Sequence, residues 1–443
     1  MLMKDADNNP RYESLSRYGS PDGSTHDHVV PERVLLQFGR ITLTVTQLRY
    51  SSFLLLGVAL LWPWNCFLSA SGYFIAKFGA DSPLGKNYSS TMMTVSTLTS
   101  LCFNSVLSTR QNANYSKRIF RGNALNFSCF VILALIELID PNLHSTSYFV
   151  FIMLLVLLSS LGTALQQNGC MALANVRGPE YAQGTMVGQA IAGVLPSLSL
   201  MISELIYSGH REKSSASIVI YFAMTSVITL LAGILFVVTY KIDGEPGVSS
   251  TSDEEATASS GEQNSNYVPF MTLFNKLKFI VLSIVMSFVV TLIFPIFASN
   301  VTSVHTDWKL TSDPIFIPFA FLVWNIGDLI GRIACGYENL VITNDVKLFV
   351  YTIARFVFVP FLLMCNLDSR KGHAVIKSDT FYLLIQFLFG FTNGHSLSCA
   401  FMNVGPYVED NEKEAAGGFS TVFLSVGLLL GSVLSYIFVP LVG

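Results

Sequence analysis

Long apolar runs separated by short polar stretches dominate the chain. A helix crossing a hydrocarbon core of ~30 Å needs about 20 mostly apolar residues. About eleven windows reach that length, near 48–70, 91–109, 119–139, 148–170, 182–206, 216–240, 275–299, 314–335, 346–366, 380–403 and 416–441. The fourth and fifth are the least sharply divided, because the Gly- and Gln-rich stretch between them is only moderately apolar. The pattern predicts an all-α polytopic membrane protein.

The polar segments set the organisation. Residues 1–46 are polar throughout and read as a disordered cytosolic tail; within it Tyr12 to Leu15, "YESL", matches a tyrosine sorting signal, a pattern that also arises by chance. No apolar stretch near the start suits a cleaved signal peptide. Between the sixth and seventh windows lies an acidic, Ser- and Gly-rich segment, 241–270, too polar to bury a core and expected to be a flexible cytosolic loop. It separates a six-span half, 47–240, from a five-span half, 271–443. Lys4, Arg11, Arg17, Arg33, Arg40 and Arg49 before the first span, with Arg110, Lys117, Arg118 and Arg121 after the second, place the N-terminus in the cytosol. An odd span number then puts the C-terminus outside or in a lumen. The loops with Arg211 and Lys213, and with Arg370, Lys371 and Lys377, run against this assignment, but the first loops usually dominate. The sequons at Asn87 and Asn300 fall on outer loops, and that at Asn114 on the cytosolic side.

Composition agrees with the pattern. The chain is 51% hydrophobic and 12% charged, against about 25% charged residues in soluble domains. A net charge of −3 gives no footprint for nucleic acid. The seven cysteines lie in or beside apolar runs without a CxxC pair, which indicates neither a disulfide framework nor a zinc site. Gly85-Lys86 is not part of a P-loop, no HExxH occurs, and "GHSLS" (394–398) lacks the final glycine of a nucleophile elbow. No enzyme, no cofactor and no obligate protein partner is expected; the lipid bilayer is.

The chemistry then rests on polar residues inside the spans. Asp328 and Arg332 are spaced i, i+4 in "WNIGDLIGRI" (324–333) and project from one helix face. Each costs ~2.5–3.5 kcal/mol at the bilayer centre on insertion scales. They read either as a structural ion pair or as the lining of a solute pathway, and Asn325 on the same face favours the second. In the first span Trp64 and Asn65 follow Pro63. In the fifth, Gly184, Gly188, Ala192 and Pro196 form a small-residue stripe beside Gln189. Glu137, Glu204 and Arg355 read as structural or interfacial, and His395 as a neutral hydrogen-bonding partner or a proton relay.

These stretches resemble the equilibrative nucleoside transporter family (solute carrier family 29). The likeness runs through "PWNCFLSASGYF" (63–74), "VGQAIAGVLPS" (187–197), "WNIGDLIGRI", "ARFVFVPFLLMCN" (354–366), "GFTNGH" (390–395) and "EAAGGFSTVFLSVGLLLGS" (414–432). "WPWNC" and "AAGGF" are most similar to fungal vacuolar members, which implies a vacuolar or lysosomal type of membrane. The resemblance implies a major-facilitator-like architecture of two bundles rocking about a central site. It also implies facilitative transport of purine and pyrimidine nucleosides by alternating access, with nucleobases as a further substrate class to consider. Trp64 would stack on the base and Gln189 would bond its edge. Asp328 and Arg332, with Asn325 nearby, would engage the ribose hydroxyls. Leu61, Asn65, Leu68, Met93, Asn393 and His395 are expected around them. Trp324 and Gly327 depart from the family's usual "FNIFD" and stand where they would alter cavity size. A carrier of another small polar solute, and proton-coupled nucleoside symport, remain the alternatives.

Overall fold

The computed structural model describes residues 34–38, 41–111, 113–139, 144–207, 215–243, 267–292, 294–305, 309–367 and 374–442. Expectations for the earlier tail with "YESL", for 244–266, for Arg211, Lys213, Arg370 and Lys371, and for the side chain of Glu204 lie outside the described residues.

The chain divides into a unit ending at Leu48 and a second unit, Arg49–Gly443. In the first, β1 (Val34–Phe38) pairs antiparallel with β2 (Ile41–Thr44). This corrects the expectation that all of 1–46 lacks structure. VLLQF and ITLT carry the β-branched and aromatic residues that favour strands.

The second unit is helical, and eleven helical segments cover the eleven windows. They are α1 (Val45–Phe78), α2 (Pro83–Thr109), α3 (Tyr115–Ile139), α4 (Ser145–Arg177), α5 (Pro179–Tyr207), α6 (Ser215–Asp243), α7 (Phe270–Thr291) with α8 (Phe294–Asn300), α9 (Asp313–Ala334), α10 (Asp345–Ala354) with α11 (Phe358–Leu363), α12 (Asp379–Val404) and α13 (Lys413–Val442). Two windows contain interrupted helices, and proline accounts for both. Pro295 cannot donate to the Thr291 carbonyl, where α7 ends. Pro360 cannot donate to Phe356, and Arg355–Val357 tightens into a 3-10 turn. Among the described helices nine are long and apolar enough to cross a membrane. α2 and α12 are more polar. In α2 the Thr94, Ser105 and Thr109 hydroxyls donate to carbonyls one turn back; in α12 Gln386, Asn393, His395 and Asn403 are buried.

α3 packs on α4 and α6, and α2 on α4; in the second half α9 pairs with α12, and α7 with α10, α12 and α13. The halves meet where α5 touches α9 and α12, and where α13 touches α2 and α4. The outward faces of α3 and α6 expose Leu135, Leu138, Ile220, Val227 and Leu231, side chains suited to lipid. Glu137 is buried but fully engaged: it pairs with Lys77 at 2.8 Å and accepts from Tyr73 at 2.6 Å and from Tyr148. That makes it a brace among α1, α3 and α4.

Candidate functional site

The site is built on the α9–α12 pair. A Cβ on Gly327 or Gly331 would stand 2.3 or 2.1 Å from the carbonyl oxygens of Phe387 and Phe391; one on Gly390 or Gly394 would stand 2.1 or 1.9 Å from those of Trp324 and Asp328. Four glycines therefore let the two backbones touch. Gly327 spends its missing side chain on α12, so its packing role is against that helix.

This approach brings Asp328 to Asn393. Arg332 Nε donates to Asp328 Oδ2 at 2.8 Å, and Asn393 Nδ2 donates to Asp328 Oδ1 at 2.7 Å. The paired side chains are only 5% and 7% exposed, so the ion pair is desolvated as well as matched. Beyond Asn393 the chain continues: the Thr291 hydroxyl lies 2.5 Å from Asn393 Oδ1, and Arg355 Nη2 donates to that hydroxyl at 3.3 Å. Arg355 is fully buried, donates to the Ser287 carbonyl at 3.3 Å and lies over the Phe389 ring. It forms no ion pair among the described residues. One carboxylate thus stands between two guanidinium groups, one in direct contact and one reached through Asn393 and Thr291.

α5 closes over this arrangement from the other half. Arg332 Nη1 donates to the Met186 carbonyl at 2.9 Å. Gln183 Nε2 donates to the Arg332 carbonyl at 3.0 Å, and Tyr50 donates to Gln183 Oε1 at 2.9 Å. Because α9 ends at Ala334, the Arg332 carbonyl has no partner within its own helix, and the Gln183 amide supplies one. About four turns along α5 from Gln183, Asn325 Nδ2 donates to Ser197 Oγ at 2.9 Å. The two helices are therefore latched from Gln183–Arg332 to Ser197–Asn325.

α1 approaches α5 in the same manner. A Cβ on Gly57 would meet the Thr185 carbonyl at 2.1 Å, and one on Gly188 the Leu54 carbonyl at 1.9 Å. Asn65 Nδ2 donates to the Ala192 carbonyl at 2.7 Å. Pro196 has no N–H to offer that carbonyl, so the Asn65 amide fills the gap. Gln189, 7% exposed, makes no side-chain hydrogen bond among the described residues. Its amide is uncommitted.

Trp64 is half-buried and packs on the aromatic cluster around Phe67 and Phe130. Leu61 packs with Val58, Trp62 and Ala192. Leu68 and Met93 are exposed, at 46% and 40%. His395 turns away from the Asp328 chain: its Nε2 lies 2.7 Å from the Leu340 carbonyl, with its ring stacked on Phe391. Sequence reasoning left out Tyr50, Gln183 and Thr291 and set Arg355 aside. An arginine in an apolar run four residues before a valine and five before Pro360 was the available signal for the last.

A helical bundle in two halves, with a buried ion pair close to where they meet, has the architecture of the major facilitator fold. Solved structures agree on the fold: the chain matches the xylose:proton symporter XylE with TM-score 0.57 at 11% identity, covering 90% of this chain and 88% of that one. It matches FucP in the outward conformation with TM-score 0.56 at 12% identity, covering 88% and 92%. Residues 151–440 match the family described as Nucleoside transporter. The chain is 37% identical to the nucleoside transporter FUN26 of Saccharomyces cerevisiae, covering 88% of this chain and 84% of that protein. It is 28% identical to equilibrative nucleoside transporter 1 of Homo sapiens, covering 87% and 95%. The chain belongs to the nucleoside transporter family.

Proposed function

We propose that the protein is a facilitative carrier of nucleosides, working by alternating access and without covalent chemistry. The observation that carries this reading is the buried Asp328 carboxylate, held by Arg332 and Asn393 where α5 of the other half closes over it. A carboxylate has about four acceptor directions; two are taken by protein donors, which leaves room for two vicinal hydroxyls. Arg332 sets a positive charge beside the group and offers further donors. Gln189 brings an amide that can match both donor and acceptor on a base edge, and Trp64 an aromatic face for stacking. Asn325 lies at the outer end of the α5–α9 latch. The relatives' names support a nucleoside as the solute.

Alternating access follows from the latch. Release on the side where α5 begins and α9 ends requires breaking the Tyr50–Gln183–Arg332 and Arg332–Met186 bonds, while substrate bound to Asp328 changes what Arg332 must hold. The Lys/Arg distribution supports placing that side in the cytosol, and the similarity to fungal members supports a vacuolar-type membrane. Competition against labelled uridine uptake in proteoliposomes tests the solute class. Adenosine and uridine should inhibit and hexoses should not; inhibition by hexoses with none by nucleosides would replace this reading with a sugar carrier.

A further inference from the structure

Three metal-binding side chains from two helices meet at the end of α9, away from the Asp328 chain. Cys335 caps α9, and His395 and Cys399 lie one turn apart on α12. The Cys335 and Cys399 sulfurs are 3.6 Å apart, His395 Nε2 is 3.9 Å from Cys399 Sγ, and one donor atom from each residue falls within 4.8 Å of the other two. All three side chains are buried. Two thiolates on a tetrahedral ion with metal–sulfur bonds of ~2.3 Å stand about 3.8 Å apart. The observed sulfur separation is close to that edge.

Two further details point to a ligand. The ring nitrogen that faces the sulfurs is His395 Nε2, which also lies 2.7 Å from the Leu340 carbonyl oxygen. In the tautomer with the proton on Nδ1, Nε2 and that carbonyl present lone pairs to one another, an arrangement that a cation between them satisfies. The Ile342 amide donates to Cys399 Sγ at 3.4 Å, the kind of outer bond that holds a ligating thiolate in place. Two thiolates with a divalent ion are neutral together, so the site adds no net charge to the bundle. The sequence signal is the His-x3-Cys spacing in "HSLSC" (395–399), which sets both ligands on one helix face.

We propose that Cys335, His395 and Cys399 bind a thiophilic d10 cation, Zn2+ being the type, which ties the end of α9 to α12. The ion would brace the turn of α9 whose carbonyl and guanidinium hold the latch to α5. The binding reading does not depend on what the carrier transports.

The test uses the full chain, purified and stripped with chelator, titrated with Co2+. One equivalent should give the strong sulfur-to-cobalt charge-transfer and visible bands of a tetrahedral thiolate site, and one equivalent of Zn2+ should erase them. Cys335→Ser with Cys399→Ser should remove the bands, while Cys102→Ser, on the exposed face of α2, should keep them. Should the double variant not fold, wild-type protein gives a second readout by mass spectrometry. Zn2+ should slow alkylation of Cys335 and Cys399 at least tenfold and leave Cys102 unchanged. Absence of the bands at one equivalent, bands that persist in the double variant, alkylation indifferent to Zn2+, or a Cys335–Cys399 disulfide in the purified carrier would each overturn the proposal.

Discussion

Replacing Asp328 by asparagine keeps the side chain's volume and removes its charge. Oδ1 now accepts from Asn393 at 2.7 Å and Oδ2 from Arg332 at 2.8 Å. In the variant an NH2 group replaces one oxygen, so one of those donors faces another donor, and the charged acceptor for a ribose hydroxyl is gone. A hydrogen bond to a charged group contributes ~1.5–3 kcal/mol, and each 1.4 kcal/mol is about tenfold in affinity. The loss for a nucleoside with both hydroxyls is therefore about 10–100-fold. Because the variant also leaves Arg332 without its counter-charge, a cost of ~3–5 kcal/mol in folding stability accompanies it. A substrate comparison separates the two effects. The assay measures inhibition of labelled uridine uptake by uridine and by 2′,3′-dideoxyuridine, in proteoliposomes normalised for monodisperse protein. The wild type should prefer uridine by about 10–100-fold, and in Asp328→Asn the ratio should collapse towards one. A variant that folds and keeps the wild-type ratio would refute the assignment of Asp328 to the sugar.

Gln183→Ala removes two latch hydrogen bonds of ~1 kcal/mol each; amide hydrogen exchange in 179–190 and 330–336 should accelerate severalfold, and unchanged exchange would show that the latch carries no energy. Gly394→Ala places a Cβ 1.9 Å from the Asp328 carbonyl oxygen and should lower the thermal midpoint by an overpacking cost of ~1–3 kcal/mol. Gly72→Ala, with nothing within 4 Å, is the matched control and should leave the midpoint unchanged or raised. Glu137→Gln strips the partner from Lys77 and should destabilise by ~3–5 kcal/mol, while the uridine to dideoxyuridine ratio of the surviving protein stays at the wild-type value.

The number and placement of the helical segments were legible because each apolar run is bounded by polar residues, and the i, i+4 spacing alone put Asp328 and Arg332 on one face. The breaks after Thr291 and at Arg355–Val357 were visible as Pro295 and Pro360, yet a window of hydropathy passes straight over them. The partners were not legible. Asn393 reaches Asp328 because four glycines on two helices, Gly327 and Gly331 against Gly390 and Gly394, interlock far apart in sequence, and no local pattern states that pairing. Arg355 read as structural by itself; only the fold sets it three hydrogen bonds from Asp328, through Thr291 and Asn393. Gly327 was expected to reshape the cavity, but it lies one residue from Asp328 and so on a different helix face, where the α12 backbone takes its space. The cysteines gave no metal signal because the ligand pair is one His and one Cys at helical spacing, with the third donor on another helix.

Counter-flow in proteoliposomes holding the purified protein tests the carrier claim most directly. Vesicles preloaded with unlabelled uridine should transiently accumulate labelled uridine above the outside concentration, with saturable initial rates and no ATP. Non-saturable entry that ignores the preloaded solute, by protein shown to be folded and inserted, would contradict alternating access and point to a pore instead.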